Sequence, residues 1–322
     1  MYIGKNASCF ARAKEQNLAL LKRDIDRFWG EGDHIKRLLV ALGREYFTND
    51  WSNFVDVGAG TYAAGGDDTL MKVFSDAFSS SKKHIVGFEP FEPSADVLRE
   101  MFANGLGQKE QTIFSVLQQG CGELAETDLI FTGQMNTFTA NRRIALHPKY
   151  AGTETFKIQS TSVDALAQKL GWQNVHVLKT DTEGREFEVL LGAKQLISKQ
   201  LISLIIVAYE DKWTWDSFTA AYPVDRKSHL FKEQIEFDTP NLYSVCAWLS
   251  HLNYSAYLLG ADKNGSMIAI PLSDSYWDDA FEIGRNPHNY DKPFTWFDFV
   301  AAPKGSDVQL WIEQVSVGTA TC

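Results

Sequence analysis

Cysteine is scarce. Cys9, Cys121, Cys246 and Cys322 are the four in 322 residues, and no two stand as C-x-x-C. That scatter offers neither a zinc site nor a disulfide framework, and it leads us to expect a reducing, cytoplasmic setting. No apolar run reaches the ~18 residues that a membrane-crossing helix needs, so no membrane span is expected. Residues 1–14 hold no continuous apolar core of a secretory signal. Basic tracts are missing as well. The formal charge is -10, and an acidic chain without a basic stripe is poorly suited to a phosphate backbone, so nucleic acid is not expected as a partner. Internal repeats and low-complexity segments are absent too. What remains is a chain with 44% apolar residues, enough for a full core in one large domain or two smaller ones.

The stretch around which the rest is organised is Asn53-Phe54-Val55-Asp56-Val57-Gly58-Ala59-Gly60-Thr61. Phe54, Val55 and Val57 form a short apolar run that reads as a buried parallel strand. Gly58 and Gly60 allow a sharp turn and a close approach of backbone to a ligand. A helix is expected from Asp67-Asp68 or Thr69 through Leu70, Val73, Phe74 and Phe78. Strand, glycine turn and helix open a nucleotide-binding α/β unit. Asp56 adds information the glycines lack. A carboxylate here repels a pyrophosphate and suits a ligand that presents an ammonium group.

Further apolar runs follow in alternation with helical patterns. Strands are expected at 84–88, 112–117, 175–178 and 201–208, with the last central because it is apolar throughout. A strand pair, 129–131 and 155–159, flanks a polar excursion. Helices are expected at 95–102, at 163–170 with Ser162 or Asp164 as cap, at 186–197 and at 242–252. Residues 254–259, 266–271 and 295–302 compete for the last two strand positions. Residues 1–50 read as helical, with stripes at Leu18, Leu20, Leu21, Ile25 and Phe28 and at Ile35, Leu38, Leu39 and Leu42. Such alternation means a parallel sheet with helices on both faces. Ligands bind such sheets at the carboxyl ends of the strands. That rule gathers Asp56, Glu89, Gln119, Asp181 and Glu210 on one rim.

Glu89 ends the second strand, where a carboxylate can accept hydrogen bonds from two ribose hydroxyls. Lys179-Thr180-Asp181-Thr182-Glu183-Gly184-Arg185-Glu186 is the other dense stretch, with Asp181 at a strand end. Glu183 and Glu186 stand where a helix N-terminus favours negative charge by ~0.3–1 kcal/mol. Lys179, one strand period before Asp181, is placed to neutralise part of the cluster.

Three segments together resemble the FkbM-type methyltransferase family: Val55-Asp56-Val57-Gly58-Ala59-Gly60, Gly87-Phe88-Glu89-Pro90, and Leu178 through Ala193 with its K-x-D-x-E-G-x-E pattern. Val163-Asp164-Ala165-Leu166 resembles the segment that precedes that pattern. The likeness spans roughly residues 50–210. It implies a Rossmann-like α/β class I methyltransferase fold: a mostly parallel sheet of seven strands, the last antiparallel, with helices on both faces and an N-terminal helical extension. It implies S-adenosylmethionine as cofactor and transfer to a hydroxyl on a small molecule, sugar or lipid. By the same resemblance Gly58 and Gly60 line the methionine part, Glu89 holds the ribose and the loop around Gln119-Gly120 borders the adenine, with Asp181 near the sulfonium and the acceptor; Asp56 joins the cofactor-binding candidates through its charge. Two features depart from the family: the long Thr61–Asp68 loop, and Glu210 without the histidine that usually follows an acid there.

The expected organisation is then a helical extension over 1–50, a methyltransferase domain over 51–304 with a lid insertion at 211–240, and a tail over 305–322. Asp181 and Glu210 are the candidate catalytic groups, since a hydroxyl acceptor must lose a proton. His147 and His251 are further candidates for that step. Asp181, Glu183 and Glu210 could instead hold a divalent ion, because carboxylates suit Mg²⁺; the metal stays unknown, as does the oligomeric state. Two other readings compete. A dinucleotide oxidoreductase is disfavoured by Asp56. A cofactor-binding but inactive scaffold is kept open by the altered first loop and the missing histidine.

Overall fold

The structure, a computed structural model, describes residues 3–23, 33–45, 51–60, 69–78, 82–103, 112–123, 128–133, 143–144, 154–182, 185–210, 242–262, 264–277, 281 and 296–316. The chain forms two compact units, one of residues 36–205 and one of residues 1–35 with 206–322.

In the unit of residues 36–205, β1 (Trp51–Val57) pairs in parallel with β2 (Lys82–Phe88), which pairs in parallel with β3 (Thr112–Leu117). On its other side β1 pairs in parallel with β8 (Val175–Thr180), and β9 (Ile202–Glu210) follows β8. Counted along these strands the order is 3-2-1-4-5, that of doubly wound sheets, whose crevice lies beyond the carboxyl ends of the strands. Between β3 and β8 the chain builds a small second sheet. Its strands are β4 (Gly120–Cys121), β5 (Asp128–Gly133), β6 (Arg143–Ile144) and β7 (Glu154–Thr161), in the order β4-β7-β5-β6. The expected strand pair is β5 with β7, antiparallel from Asp128↔Gln159 to Gly133↔Glu154.

Local chemistry sets the helices. The N-terminal pair is α1 (Ile3–Arg23) and α2 (Asp33–Glu45), and all four residues of the second expected stripe, Ile35, Leu38, Leu39 and Leu42, are buried. In α1 Leu20 and Leu21 are buried, while Ile25 and Phe28 lie outside the described residues. Thr69 caps α3 (Leu70–Ala77), accepting from the Lys72 amide at 3.3 Å. The Phe74 and Phe78 rings then pack on Phe54 of β1, with centroids 5.1 and 4.7 Å apart. Next come α4 (Glu92–Ala103) and α5 (Val163–Leu170). Ser162, not Asp164, caps α5 through the Ala165 amide. Asp164 is used elsewhere: its carboxylate accepts the amides of Gln195 and Leu196, at 2.8 and 3.1 Å.

That bond bears on a correction. The single helix expected over 186–197 is two, α6 (Glu186–Leu191) and α7 (Lys194–Ser198). The break lies at Gly192, whose carbonyl accepts the Asp164 amide at 2.9 Å. A Cβ on Gly192 would stand 2.0 Å from the Gly122 carbonyl oxygen, so only glycine fits the junction.

In the unit of residues 1–35 and 206–322, the strands are β10 (Tyr254–Ala261), β11 (Met267–Pro271) and β12 (Trp296–Pro303), in the order β11-β10-β12-β9. β10 is antiparallel to both neighbours. All three segments that competed for two positions are therefore strands, and the main sheet has eight strands where seven were expected. The extra strand is an edge hairpin. Its turn is closed by Asp262, which accepts the amides of Asn264 and Ser266. Helices α8 (Leu242–His251) and α9 (Asp307–Val315) complete the unit. Two polar contacts tie it together: the buried pair His34 and Asp298 at 3.0 Å, and Tyr257, whose hydroxyl donates to Glu313 at 2.6 Å.

Cys121 and Cys246 are free and buried, whereas Cys9 is disulfide-bonded. The cysteines thus do not by themselves argue for a reducing compartment. No helix among the described residues is long and apolar enough to cross a membrane.

Candidate functional site

The carboxyl ends of β1, β2 and β8 converge on the glycine turn. Val57 of β1 pairs with Thr180 of β8, and the ladder runs one step further through the Asp181 amide, which donates to Val57 O at 3.0 Å. Gly58 is thereby laid against Asp181. It adopts φ +76°, and a Cβ there would stand 1.8 Å from the Asp181 carbonyl oxygen. Both the left-handed backbone and the contact demand glycine. On the other flank the amides of Gly58 and Ala59 both donate to Phe88 O of β2, each at 3.0 Å. The turn is held between two neighbouring strand ends.

Charge is concentrated inside this junction. Asp56 and Lys179 pair in register across β1 and β8, and Lys179 Nζ lies 3.0 Å from Asp56 Oδ1. The same ammonium donates to Gly58 O at 3.2 Å and stands 3.8 Å from Asp181 Oδ2. Asp56 is almost wholly buried, at 1% exposure, while the Asp181 side chain keeps 19%. Burial pushes the Asp56 carboxyl above its ordinary value; the Lys179 charge and contact oppose this, and the nearby Asp181 adds to the rise.

Glu89 follows β2. Its amide donates to Leu117 O at 3.0 Å, extending the β2–β3 ladder. Its Oε1 accepts the Phe91 amide at 2.9 Å, and its Oε2 faces Gly60, where a Cβ would stand 3.4 Å away. Glu89 and Gly60 therefore meet across the turn. Gln119, half-buried, lies between the ends of β3 and β4.

Beyond Asp181 the loop is pinned from the following helix. Glu186 Oε1 accepts both the Thr182 amide, at 2.6 Å, and the Thr182 hydroxyl, at 3.1 Å. Read from sequence, Glu186 is a helix-dipole residue; folded, it is the anchor of the segment that carries Asp181. Arg185 donates from Nε and Nη2 to Glu188 Oε2. The Asp56–Lys179 pair is the feature that reading residues one stretch at a time misses. Its signal was present, because each residue stands two positions before its motif's strand-end residue, Gly58 or Asp181.

The structure thus brings Asp56, Gly58, Gly60, Glu89 and Asp181 together. The Glu210 backbone ends β9, but its side chain is not among those described; Glu183, His147 and the expected lid at 211–240 also lie outside. His251 lines a cavity of about 490 Å³ with Tyr243, Ala247, Ser250, Leu272 and Lys304, within the unit of residues 1–35 and 206–322. Among the described residues no three metal-ligating side chains cluster. At the far end of β8, His176 Nδ1 accepts the Asn53 amide at 3.1 Å. An accepting Nδ1 carries no proton, and burial lowers the His176 pKa to about 4.

A parallel sheet whose first strand ends in a glycine turn, with an acidic residue closing the second, is an arrangement common among α/β proteins that bind nucleotide cofactors. Residues 56–255, more than half the chain, match the methyltransferase FkbM domain, and the chain belongs to that family. Among solved structures it is similar to methyltransferase FkbM from Methylobacillus flagellatus KT. The identity is 16%, the match covers 49% of this chain and 33% of that one, and the TM-score is 0.30. No curated protein matches the chain.

Proposed function

We propose that this chain is an S-adenosylmethionine-dependent methyltransferase acting on a hydroxyl of a small molecule, sugar or lipid. The observation that carries the reading is the sign of the charge at the turn. Asp56, Glu89 and Asp181 gather at Gly58 and Gly60, and Lys179, the cation among the described residues there, is committed inward to Asp56 and the Gly58 carbonyl. A pyrophosphate would meet carboxylates at this turn, whereas a ligand carrying an ammonium and a sulfonium is complemented by them. The residues fit that cofactor in a second respect. Gly60 keeps clear the space beside Glu89 Oε2, and a carboxylate there can accept ribose hydroxyls.

When bound, S-adenosylmethionine supplies a methyl group activated by its positive sulfur. The residues of the chain orient and deprotonate. In this reading Glu89 holds the ribose, Gly58 and Gly60 line the methionine part, and Gln119 borders the adenine. Asp181, the partly exposed carboxylate, faces the reacting centre. A hydroxyl acceptor must give up its proton as the methyl arrives, and Asp181 and Glu210 are the candidate bases. Most of the rate gain is expected from alignment of nucleophile, methyl carbon and sulfur.

The test is a methyl-transfer screen over sugar, lipid, peptide and polyketide hydroxyl acceptors, read as S-adenosylhomocysteine release. Turnover with one acceptor class, lost in Asp181→Asn, supports the reading. Absence of turnover across the panel, with the cofactor bound, favours a scaffold.

A further inference from the structure

We propose that Lys179 is a positioning residue, an ammonium built into the chain that takes up the charge of Asp56 and leaves Asp181 to receive the ammonium group of the cofactor. The inference rests on the cofactor reading above and changes the division of labour within it: an Asp181 engaged by the cofactor ammonium is not the base, which leaves Glu210 as the candidate for that step. From sequence, Asp56 is the carboxylate expected to meet a ligand ammonium. In the structure that position is already served from inside. Asp56 Oδ1 is buried and has Lys179 Nζ at 3.0 Å. A second ammonium brought to the same oxygen would meet a like charge at close range with little water to screen it.

The other contacts of Lys179 give the pair its purpose. Its hydrogen bond to Gly58 O fastens the left-handed residue on which the turn depends. Its distance of 3.8 Å to Asp181 Oδ2 places positive charge behind the carboxylate that retains solvent access. Asp181 is thus supported from one side and open on another, as a ligand-binding carboxylate must be. The sheet enforces the arrangement, because Asp56 and Lys179 are register partners and Asp181 continues the same ladder.

The experiment is a variant set read in two ways. The set comprises Asp56→Asn, Lys179→Met, Lys179→Arg, Asp181→Asn and the double variant Asp56→Asn/Lys179→Met. The first readout is ligand-free chemical unfolding. The second is calorimetry with S-adenosylhomocysteine and with its analogue lacking the α-amino group. Lys179→Met is expected to weaken S-adenosylhomocysteine binding by about tenfold or more, and adding Asp56→Asn to bring it back to within about threefold of wild type. Lys179→Arg, which keeps the charge, should stay closer to wild type than Lys179→Met. Asp181→Asn should cost about tenfold against S-adenosylhomocysteine and almost nothing against the deaminated analogue, while Asp56→Asn affects both ligands equally. A merely structural Asp181 would not discriminate between the two ligands.

The proposal is overturned if Asp56→Asn discriminates and Asp181→Asn does not, or if the double variant binds no better than Lys179→Met. Should Lys179→Met fail to fold, recovery of folding in the double variant supports the pairing, and failure of both overturns it. If the wild-type chain binds neither ligand, the cofactor reading and the Asp181 role fall together. The unfolding cycle then still decides whether Lys179 and Asp56 are coupled.

Discussion

Lys179 and Asp56 are partners twice over: their Cα positions are paired between β8 and β1, and their charged atoms lie 3.0 Å apart. Breaking a buried pair by removing one member strands a charge and costs about 3–5 kcal/mol, whereas replacing both members by neutral groups costs far less. Lys179→Met is therefore expected to lower unfolding stability by that amount, and Asp56→Asn/Lys179→Met to recover most of it. Urea unfolding of the three chains checks this. Equal losses in the single and double variants would show that the pair is not coupled.

Gly58→Ala should damage both stability and binding. The substitution forces a side chain into the left-handed region, at a cost of roughly 1–2 kcal/mol. It also drives Cβ into the Asp181 carbonyl, so β1 and β8 must part at the turn. S-adenosylhomocysteine affinity should fall by more than about tenfold, in excess of the change expected from the lowered melting temperature alone. Unchanged affinity would mean the turn is not part of the cofactor site.

Glu89→Gln separates recognition from structure. An amide oxygen can still accept the Phe91 amide, so folding should be nearly unchanged. The charge that strengthens hydrogen bonds to ribose is lost, which is worth about 1.5–3 kcal/mol for bonds to a charged group, or roughly tenfold to a hundredfold in affinity. Calorimetry with adenosine and with its 2′-deoxy analogue should show the wild-type preference for the ribose hydroxyl narrowing in the variant.

His176 makes the fold acid-sensitive. Its folded pKa, about 4, lies below the 6.5 of an ordinary histidine, so the unfolded chain takes up a proton that the native chain refuses. Stability from this group is complete above pH 6.5 and drains away as pH falls toward 4, by on the order of 3 kcal/mol in total. His176→Gln, whose amide oxygen can still accept from Asn53, should lose less stability between pH 7 and pH 5 in urea titrations. An identical pH slope in the two chains would count against the assignment.

Much of this was legible in the residues. Glycines at a strand end, an acid at the next strand and a charged K-x-D cluster are local patterns, and local patterns survive folding. The strand at 112–117 and the start of α6 are set by apolar runs and turn residues close in sequence. What escaped is decided by particular side-chain and backbone contacts, some far apart in the chain and some local, that no apolar pattern encodes. The break between α6 and α7 is made by Asp164 and Gly122, and neither is near Gly192 in sequence. The anchoring of Thr182 by Glu186 needs a backward reach that no periodicity encodes. The third strand, β11, is decided by the hairpin turn at Asp262, whereas the apolar pattern alone made its segment one of three rivals for two positions.

The central claim is that the acidic turn at Gly58–Gly60 holds S-adenosylmethionine. The most direct measurement is calorimetry of the wild-type chain with S-adenosylmethionine, S-adenosylhomocysteine and NAD under one set of conditions. Saturable binding of the two sulfur ligands, with no heat from NAD, is the result the geometry predicts. Saturable binding of NAD, with none of either sulfur ligand, would contradict it.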